Sequence, residues 1–290
     1  MPGNLEKALI AWFDAHARDL PWRHPDTTAW GVLVSEVMAQ QTPVERVAPS
    51  WKAWMELWPT PLAMSAATPA EVLRMWGRLG YPRRALRLRE AAVVCVEQHH
   101  GQVPQTLEEL LALPGVGEYT AAAVMAFAHK RAALPLDTNV RRVLARHQFG
   151  QARVGSAITK SERDFALTLI PARDDVAAEF AQAVMELGAL VCTATQPQCS
   201  ACPIQASCLW LERGKPEVDI PKQRTQKFVG TDRQVRGLLM AVLREQPHAT
   251  KDQLDLVWAD AAQRERALTS LIGDGLVEII SDDLYQLPTK

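Results

Sequence analysis

Apolar residues recur at three- and four-residue spacings along nearly the whole chain, which is the pattern of helices that bury one face. Strand-like alternation is almost absent before residue 275, so the spacing predicts an all-α architecture. The pattern lapses once. Across residues 211–230 it gives way to Arg213, Gly214, Lys215, Pro216, Pro221, Lys222 and Arg224, a charged and Pro/Gly-broken stretch that reads as a linker over residues 213–229. Beyond it, Val235, Leu238, Leu239, Val242 and Leu243 share one helix face. A second short helix is predicted over residues 254–258, and a third runs through Leu268, Leu271 and Ile272 until Gly275 ends it. Residues 277–280 and 284–287 then flank Asp282 and Asp283 as a hairpin. Residues 230–290 thus predict a small separate domain with the three-helix-plus-wing order of a winged helix.

Composition adds bounds rather than a function. A chain of 290 residues, 48% of them hydrophobic, is long enough for two or three units with cores of their own. It opens on no basic-then-apolar leader and contains no apolar run near the ~18 residues of a membrane span. The expectation is a cytoplasmic, monomeric protein with no membrane partner, nucleoid-associated if it acts on DNA. A formal charge of −1 does not mark the whole chain as a nucleic-acid binder, but the charge is uneven. From Gly230 onward 7 Lys and Arg stand against 10 Asp and Glu, leaving 25 against 23 before it. Phosphate contacts are expected of the earlier part.

Four of the five cysteines fall between residues 192 and 208, the wrong distribution for a secreted disulfide framework. Cys192, Cys199, Cys202 and Cys208 are spaced C-x6-C-x2-C-x5-C, with Pro203 after the third. Four thiolates in so short a loop converge on one centre, either a structural zinc or a [4Fe–4S] cluster. Zinc sites favour two close Cys pairs, so the longer gaps favour the cluster. Cys95, inside an apolar helical run, reads as a buried core residue.

A second motif is a tight turn between two helices. Residues 106–113 and 118–130 are predicted helices, joined by Pro114-Gly115-Val116-Gly117. Glycine permits positive φ and close backbone approach, so N–H groups at the start of the second helix can face a phosphate with the helix dipole behind them. Gly115, Val116 and Gly117 are therefore candidate DNA contacts, against the alternative of an ordinary helical corner. The arginines Arg83, Arg84, Arg87 and Arg89, with Arg141, Arg142 and Arg146, form a basic flank to this hairpin or, individually, solvated helix faces.

Two carboxylates stand out. Glu36 is the one charged residue between Asp26 and Glu45, and its helical neighbours Val32, Leu33, Ala39 and Gln40 are mostly apolar. A desolvated carboxyl there is expected to titrate high, as a general acid requires; an exposed edge of a buried helix is the alternative. Asp137, in Leu136-Asp137-Thr138-Asn139-Val140, stands where a helix begins and suits an N-cap. A carboxylate there is expected to remain ionised and to be able to face a developing cation.

Taken in order, S-E-V-M-A-Q-Q-T from Ser35, L-P-G-V-G from Leu113, L-D-T-N-V-R-R-V from Leu136 and the cysteine spacing resemble the helix-hairpin-helix DNA glycosylase superfamily, which includes endonuclease III. The likeness runs from about Leu5 to Trp210. S-E-V-M-A-Q-Q-T and G-R-L-G-Y at Gly77 to Tyr81 resemble its adenine-specific (A/G-specific) branch. The resemblance implies a six-helix barrel module with the hairpin (residues 26–136) and an iron–sulfur module made of residues 1–25 and 137–212. It implies a monofunctional enzyme of base excision repair that acts on double-stranded DNA, removing adenine opposite 8-oxoguanine or guanine by hydrolysis of the N-glycosidic bond. By the same resemblance, Glu36 protonates N7 of the flipped adenine and Asp137 stabilises or traps the sugar cation. Tyr119 and Asn139 orient these groups, with Arg23 nearby. Gln41, Thr42, Leu79 and Tyr81 enter the duplex and hold the opposite base, and the four cysteines hold a [4Fe–4S] cluster. Tyr119 stands where bifunctional relatives carry a Schiff-base lysine. Two features depart from the pattern: Thr138 replaces a common glycine, and residues 230–290 read as a winged helix where a Nudix-like domain is usual. A thymine or uracil mismatch glycosylase of the same superfamily, and a non-enzymatic iron–sulfur redox sensor that binds DNA, are the competing readings.

Overall fold

The computed structural model describes residues 2–217 and 228–289. Helices dominate, as the apolar spacing predicts. They begin with α1 (Pro2–His16), α2 (Ala29–Ala39), α3 (Val44–Leu57), α4 (Pro61–Ser65), α5 (Pro69–Trp76) and α6 (Arg83–Gln98). The hairpin pair is α7 (Leu107–Ala112) and α8 (Glu118–Phe127), followed by α9 (Thr138–Phe149), α10 (Lys160–Leu169), α11 (Asp174–Leu190) and α12 (Leu209–Glu212). Beyond the linker come α13 (Asp232–Glu245), β1 (Ala249–Thr250), α14 (Lys251–Asp255), α15 (Ala261–Gly273), β2 (Glu278–Ser281) and β3 (Leu284–Gln286). Many starts are locally encoded. Thr68, Thr159 and Thr250 each close a capping box with the Glu or Gln three residues on, before α5, α10 and α14, satisfying amides that the helix itself leaves unpaired. Among the described residues, no helix is long and apolar enough to cross a membrane.

The chain divides into two compact units. One gathers residues 1–32, 105–112 and 116–223; the other gathers residues 33–104, 113–115 and 224–290. In the first, α11 is the central helix, with α1, α8 and α9 packed on it and Leu9, Val140, Val143, Phe180, Val184 and Leu187 in its core. Gly188 permits the α9 contact: a Cβ there would lie 2.7 Å from Asn139 Cβ and 2.8 Å from the Asn139 carbonyl oxygen. Glu186, wholly buried on α11, accepts from the Arg18 backbone N–H and from the Arg18 and Arg23 guanidinium groups at 2.8–2.9 Å. Burial alone would raise its pKa, but these donors bring it down to about 2.

In the second unit, α4 and α5 pack on α6 around Trp54, Met64, Leu73, Trp76 and Leu88. The Trp54 and Trp76 rings meet edge to face at 5.5 Å, a favourable geometry for two quadrupoles. The segment after the linker carries three helices and a hairpin in the order that its spacing predicts, plus the short β1, but the middle helix covers Lys251–Asp255 and not residues 254–258, because the Thr250 capping box starts it earlier. Its antiparallel sheet is ordered β1-β3-β2. It does not stand apart. Helix α13 packs on α5 as well as on α15, so residues 33–104 and the C-terminal segment form one unit. Pro221, Lys222, Arg224 and Lys227 of the linker lie outside the described residues.

Candidate functional site

The Pro114–Gly117 turn forms as predicted, but its two glycines serve different ends. Gly115 has φ +78°, and a Cβ on it would come within 2.8 Å of Arg87 Cβ, so both conformation and packing require glycine. Gly117 is the extended N-cap of α8, with φ −102° and open space where a Cβ would be; only one of the pair needs positive φ. That exposed backbone at a helix N-terminus is suited to a phosphate. Val116 is buried, so any contact it makes is through its backbone. Tyr119 lies half-buried in the first turn of α8.

Asp137 caps α9. Its Oδ1 accepts from the Val140 backbone N–H at 2.7 Å and its Oδ2 from Asn139 Nδ2 at 2.7 Å. Asn139 Oδ1 in turn accepts from Arg142 Nη2 at 2.7 Å. Burial raises the Asp137 pKa above its ordinary value, and the bonds from Val140 and Asn139, with the Arg142 charge, only partly oppose this. The predicted N-cap forms, and desolvation adds an opposing upward pull on the carboxyl that the cap only partly offsets. Half-buried and held by two donors, Asp137 is a preorganised anion. Glu36, on α2 in the other unit, is buried, which removes the exposed-edge alternative.

The second unit presents two irregular segments with unusual backbones. Gln41 has φ +55° and Tyr81 φ +48°, beside Gly77 and Gly80 at +53° and +85°. Non-glycine residues adopt this region at a cost of ~1–3 kcal/mol and collect at functional sites. Both side chains face solvent, with Tyr81 47% exposed. Thr42 and Leu79, expected to enter the duplex with them, are instead buried. Thr42 Oγ1 donates to the Gln40 and Leu79 carbonyls at 3.2 and 3.3 Å, tying the two segments together. The split follows the turns: at Gln41 and Tyr81 the backbone enters the left-handed region and carries those side chains outward, while Thr42 and Leu79 stay packed inside.

Arg84 completes this tie. Its Nη1 donates to the Val37 and Gln40 carbonyls at 2.8 and 2.6 Å, and its Nη2 to the Gly80 carbonyl at 3.0 Å. Its guanidinium stands 5.1 Å from the Trp76 ring and 5.7 Å from the Tyr81 ring, and burial lowers its pKa to about 10. The other arginines of the expected basic flank are also engaged. Arg83 pairs with Asp274, Arg87 with Glu90 and Arg141 with Glu162, while Arg89 donates to the Ala67 carbonyl. Arg23, expected near the chemistry, is committed to buried Glu186 and stacks over Phe13. In each case a nearby carbonyl or carboxylate takes the cation that the sequence leaves unassigned. Arg23 and Arg141 are thus largely enclosed with their carboxylate partners, whereas the Arg83 and Arg87 side chains, 57% and 51% exposed, still present donors to solvent. Gly188 and Glu186 were not singled out by the sequence, although a glycine inside an alanine-rich helix is a usable signal of close packing.

The cysteine loop follows α11. Cys192, Cys199, Cys202 and Cys208 line one small cavity with Val191, Pro197, Trp210 and Leu211. All four are free, as is buried Cys95. Burial pushes the Cys202 thiol up to about 11. Arg146 Nη1 donates to Cys192 Sγ at 3.4 Å and to the Thr193 carbonyl at 2.7 Å, and Arg142 Nε donates to the Cys192 carbonyl at 2.6 Å. Among the described residues, no group of three or more His, Cys, Asp or Glu side chains has the arrangement of a site for a metal ion. The donor set nevertheless fits a thiolate-bound group in kind: four sulfurs line one small cavity, and the Arg146 guanidinium donates to the first of them.

Comparison with known proteins follows the same lines. Residues 34–170 match the family described as HhH-GPD superfamily base excision DNA repair protein. Over 281 residues the chain is 50% identical to an adenine DNA glycosylase of Mycolicibacterium smegmatis, covering 96% of this chain and 94% of that one. It is 49% identical over 283 residues to the adenine DNA glycosylase of Mycobacterium tuberculosis, covering 97% and 92%. Among solved structures, a thermostable thymine-DNA glycosylase superposes with a TM-score of 0.66 at 26% identity, covering 73% of this chain and 97% of that one.

Proposed function

The chain belongs to the adenine DNA glycosylase family, within the helix-hairpin-helix superfamily of base excision repair enzymes, and from that premise we propose that it removes adenine mispaired with 8-oxoguanine or guanine. As a DNA glycosylase it hydrolyses the bond between base and sugar. The observation that carries the finer reading is the Asp137 arrangement: a desolvated carboxyl, fixed by Val140 N–H and Asn139, in a chain whose near end-to-end relatives are adenine-specific.

In this reading the adenine is extruded from the stack, because its reacting atoms are inaccessible within the duplex. Glu36 supplies a proton to N7. The C1′–N9 bond then breaks, its electron pair leaves with the base, and positive charge develops on the sugar. Asp137 faces that charge, and its burial makes the interaction stronger than water would allow. Water adds to C1′ and gives up a proton, leaving an abasic site. Tyr119 provides no amine for a Schiff base, so strand cleavage by a lyase route is not expected. Gln41 and Tyr81 are the side chains proposed to enter the duplex, with Thr42 and Leu79 bracing them from inside.

A [4Fe–4S] cluster is proposed, which Cys192, Cys199, Cys202 and Cys208 would hold and which would serve as a structural group ordering the loop after α11. The purified protein is then expected to be yellow-brown, with visible absorbance lost in Cys202→Ser; a colourless protein with stoichiometric zinc would defeat the assignment. The specificity is tested by single-turnover excision from duplexes pairing A, T or U with 8-oxoguanine or G. Release of thymine or uracil in preference to adenine favours the mismatch-glycosylase alternative, and no release from any duplex favours a binding protein.

A further inference from the structure

The most unusual feature of the duplex-facing segments is how Tyr81 is held. Its φ of +48° turns a half-exposed ring outward at the end of a glycine-rich turn, an arrangement that persists only where neighbours over-determine it. One neighbour is Arg84, 5.7 Å from the ring centroid. The other comes from the C-terminal segment of the same compact unit: Arg233 Nη1 donates to the Tyr81 hydroxyl at 3.2 Å. Arg233 is stacked at 5.3 Å over the ring of Phe228.

Two further arginines of α13 point the same way. Arg236 Nη2 pairs with Asp274 Oδ2 at 2.6 Å, and Asp274 Oδ1 accepts from Arg83 Nη1 at 3.2 Å. Arg83 opens α6, two residues after Tyr81. Arg244 Nε donates to the Leu73 carbonyl at 3.0 Å, in the last turn of α5, where the helix leaves carbonyls unpaired. Positions 233, 236 and 244 fall on one stripe of a 3.6-residue helix. A stripe of three arginines on a DNA-repair protein would ordinarily suggest phosphates, yet here Arg233 reaches Tyr81, Arg244 reaches the end of α5 just before the turn, and Arg236 holds Asp274, which in turn binds Arg83 just after it.

We infer that Arg233, supported by the Arg83–Asp274–Arg236 bridge, is a positioning residue that holds Tyr81 in its duplex-entering orientation. The C-terminal segment thus acts on DNA through Tyr81 and not through its own charge. The inference rests on the proposed function, since it requires Tyr81 to engage the duplex. It also accounts for an acidic segment in a DNA-binding chain, because a brace needs no net positive charge.

The test uses the full-length protein and an adenine:8-oxoguanine duplex, with the single-turnover rate followed against enzyme concentration. Arg233→Ala is expected to raise the half-saturating concentration roughly two- to tenfold, the worth of one hydrogen bond, at an unchanged plateau rate. Tyr81→Phe keeps the ring and loses the hydroxyl, so it should give a similar loss. Combining the two should add little, since both remove the same contact, and Arg233→Lys should recover part of the affinity. Full additivity, with Arg233→Ala lowering the salt dependence by about one phosphate contact, would mean that Arg233 touches DNA directly and overturns the inference. An unchanged half-saturation in Arg233→Ala overturns it as well. A wild-type protein that excises no adenine sinks the proposed function itself, a failure distinguishable from either of these.

Discussion

The cysteine loop of the first unit and the Gln40–Thr42 and Leu79–Tyr81 segments of the second face the same physical problem. Each is irregular backbone with carbonyls that no ladder satisfies, and each is held by arginine. In the first unit Arg142 and Arg146 of α9 donate to the carbonyls of Gly188, Cys192 and Thr193. In the second, Arg84 donates to those of Val37, Gln40 and Gly80. A guanidinium suits this task because its five donors fan out in one plane and it keeps its charge even when burial lowers its pKa. The outcomes differ. The first loop turns its cysteines inward, around a cavity, whereas the second leaves Gln41 and Tyr81 strained and outward. A clustered arginine in a helical repair protein is therefore as readily a loop staple as a phosphate contact.

The largest expected effect separates chemistry from architecture within the first unit. Asn is as good an N-cap as Asp, so Asp137→Asn should leave thermal stability nearly unchanged while lowering single-turnover excision by a factor of ~10³ or more. A near-normal rate would break the assignment of Asp137.

Glu186→Gln should be the largest stability effect, about 3–5 kcal/mol by denaturant unfolding, because it leaves Arg18 and Arg23 facing a neutral group in a buried site. The same pair predicts a pH dependence. The Glu186 pKa is depressed to about 2 in the folded chain from an ordinary 4.5. Its contribution is thus fully present above pH 4.5 and is lost as pH falls toward 2. The variant should lack that part of the acid destabilisation.

The comparison is sharpened by Arg84→Ala, which removes the second unit's staple. It should cost about 1–3 kcal/mol for the carbonyls left unpaired and weaken duplex binding, with the visible absorbance of any cluster unchanged. Bleaching in this variant would mean that the two loops are not independently held. A comparable effect, about 1–3 kcal/mol, is expected for Gly188→Ala, since the added Cβ would press on Asn139 and α9 would have to shift. Because Asn139 donates to Asp137, excision should fall further than stability alone explains, as read by single-turnover rates on the folded fraction.

Features encoded over a few residues were legible in the chain alone. The apolar spacing gave the helices, and Asp137 announced its cap three residues ahead of Val140. L-P-G-V-G specified the hairpin, and the cysteine spacing specified a four-sulfur loop. Each depends on interactions within one or two turns, whose geometry is set once the backbone is helical. What only the tertiary structure decided is which distant group each polar side chain meets. Arg23 reaches Glu186, Arg142 reaches Cys192, and Arg244 reaches Leu73, across 163, 50 and 171 residues respectively. The inward turn of Thr42 and Leu79, and the gathering of the C-terminal segment with residues 33–104, belong to the same class. A long cationic side chain carries no local signal of its partner. Its choice is made by whichever buried carbonyl or carboxylate would otherwise go unpaired, and that is known only once the helices are packed.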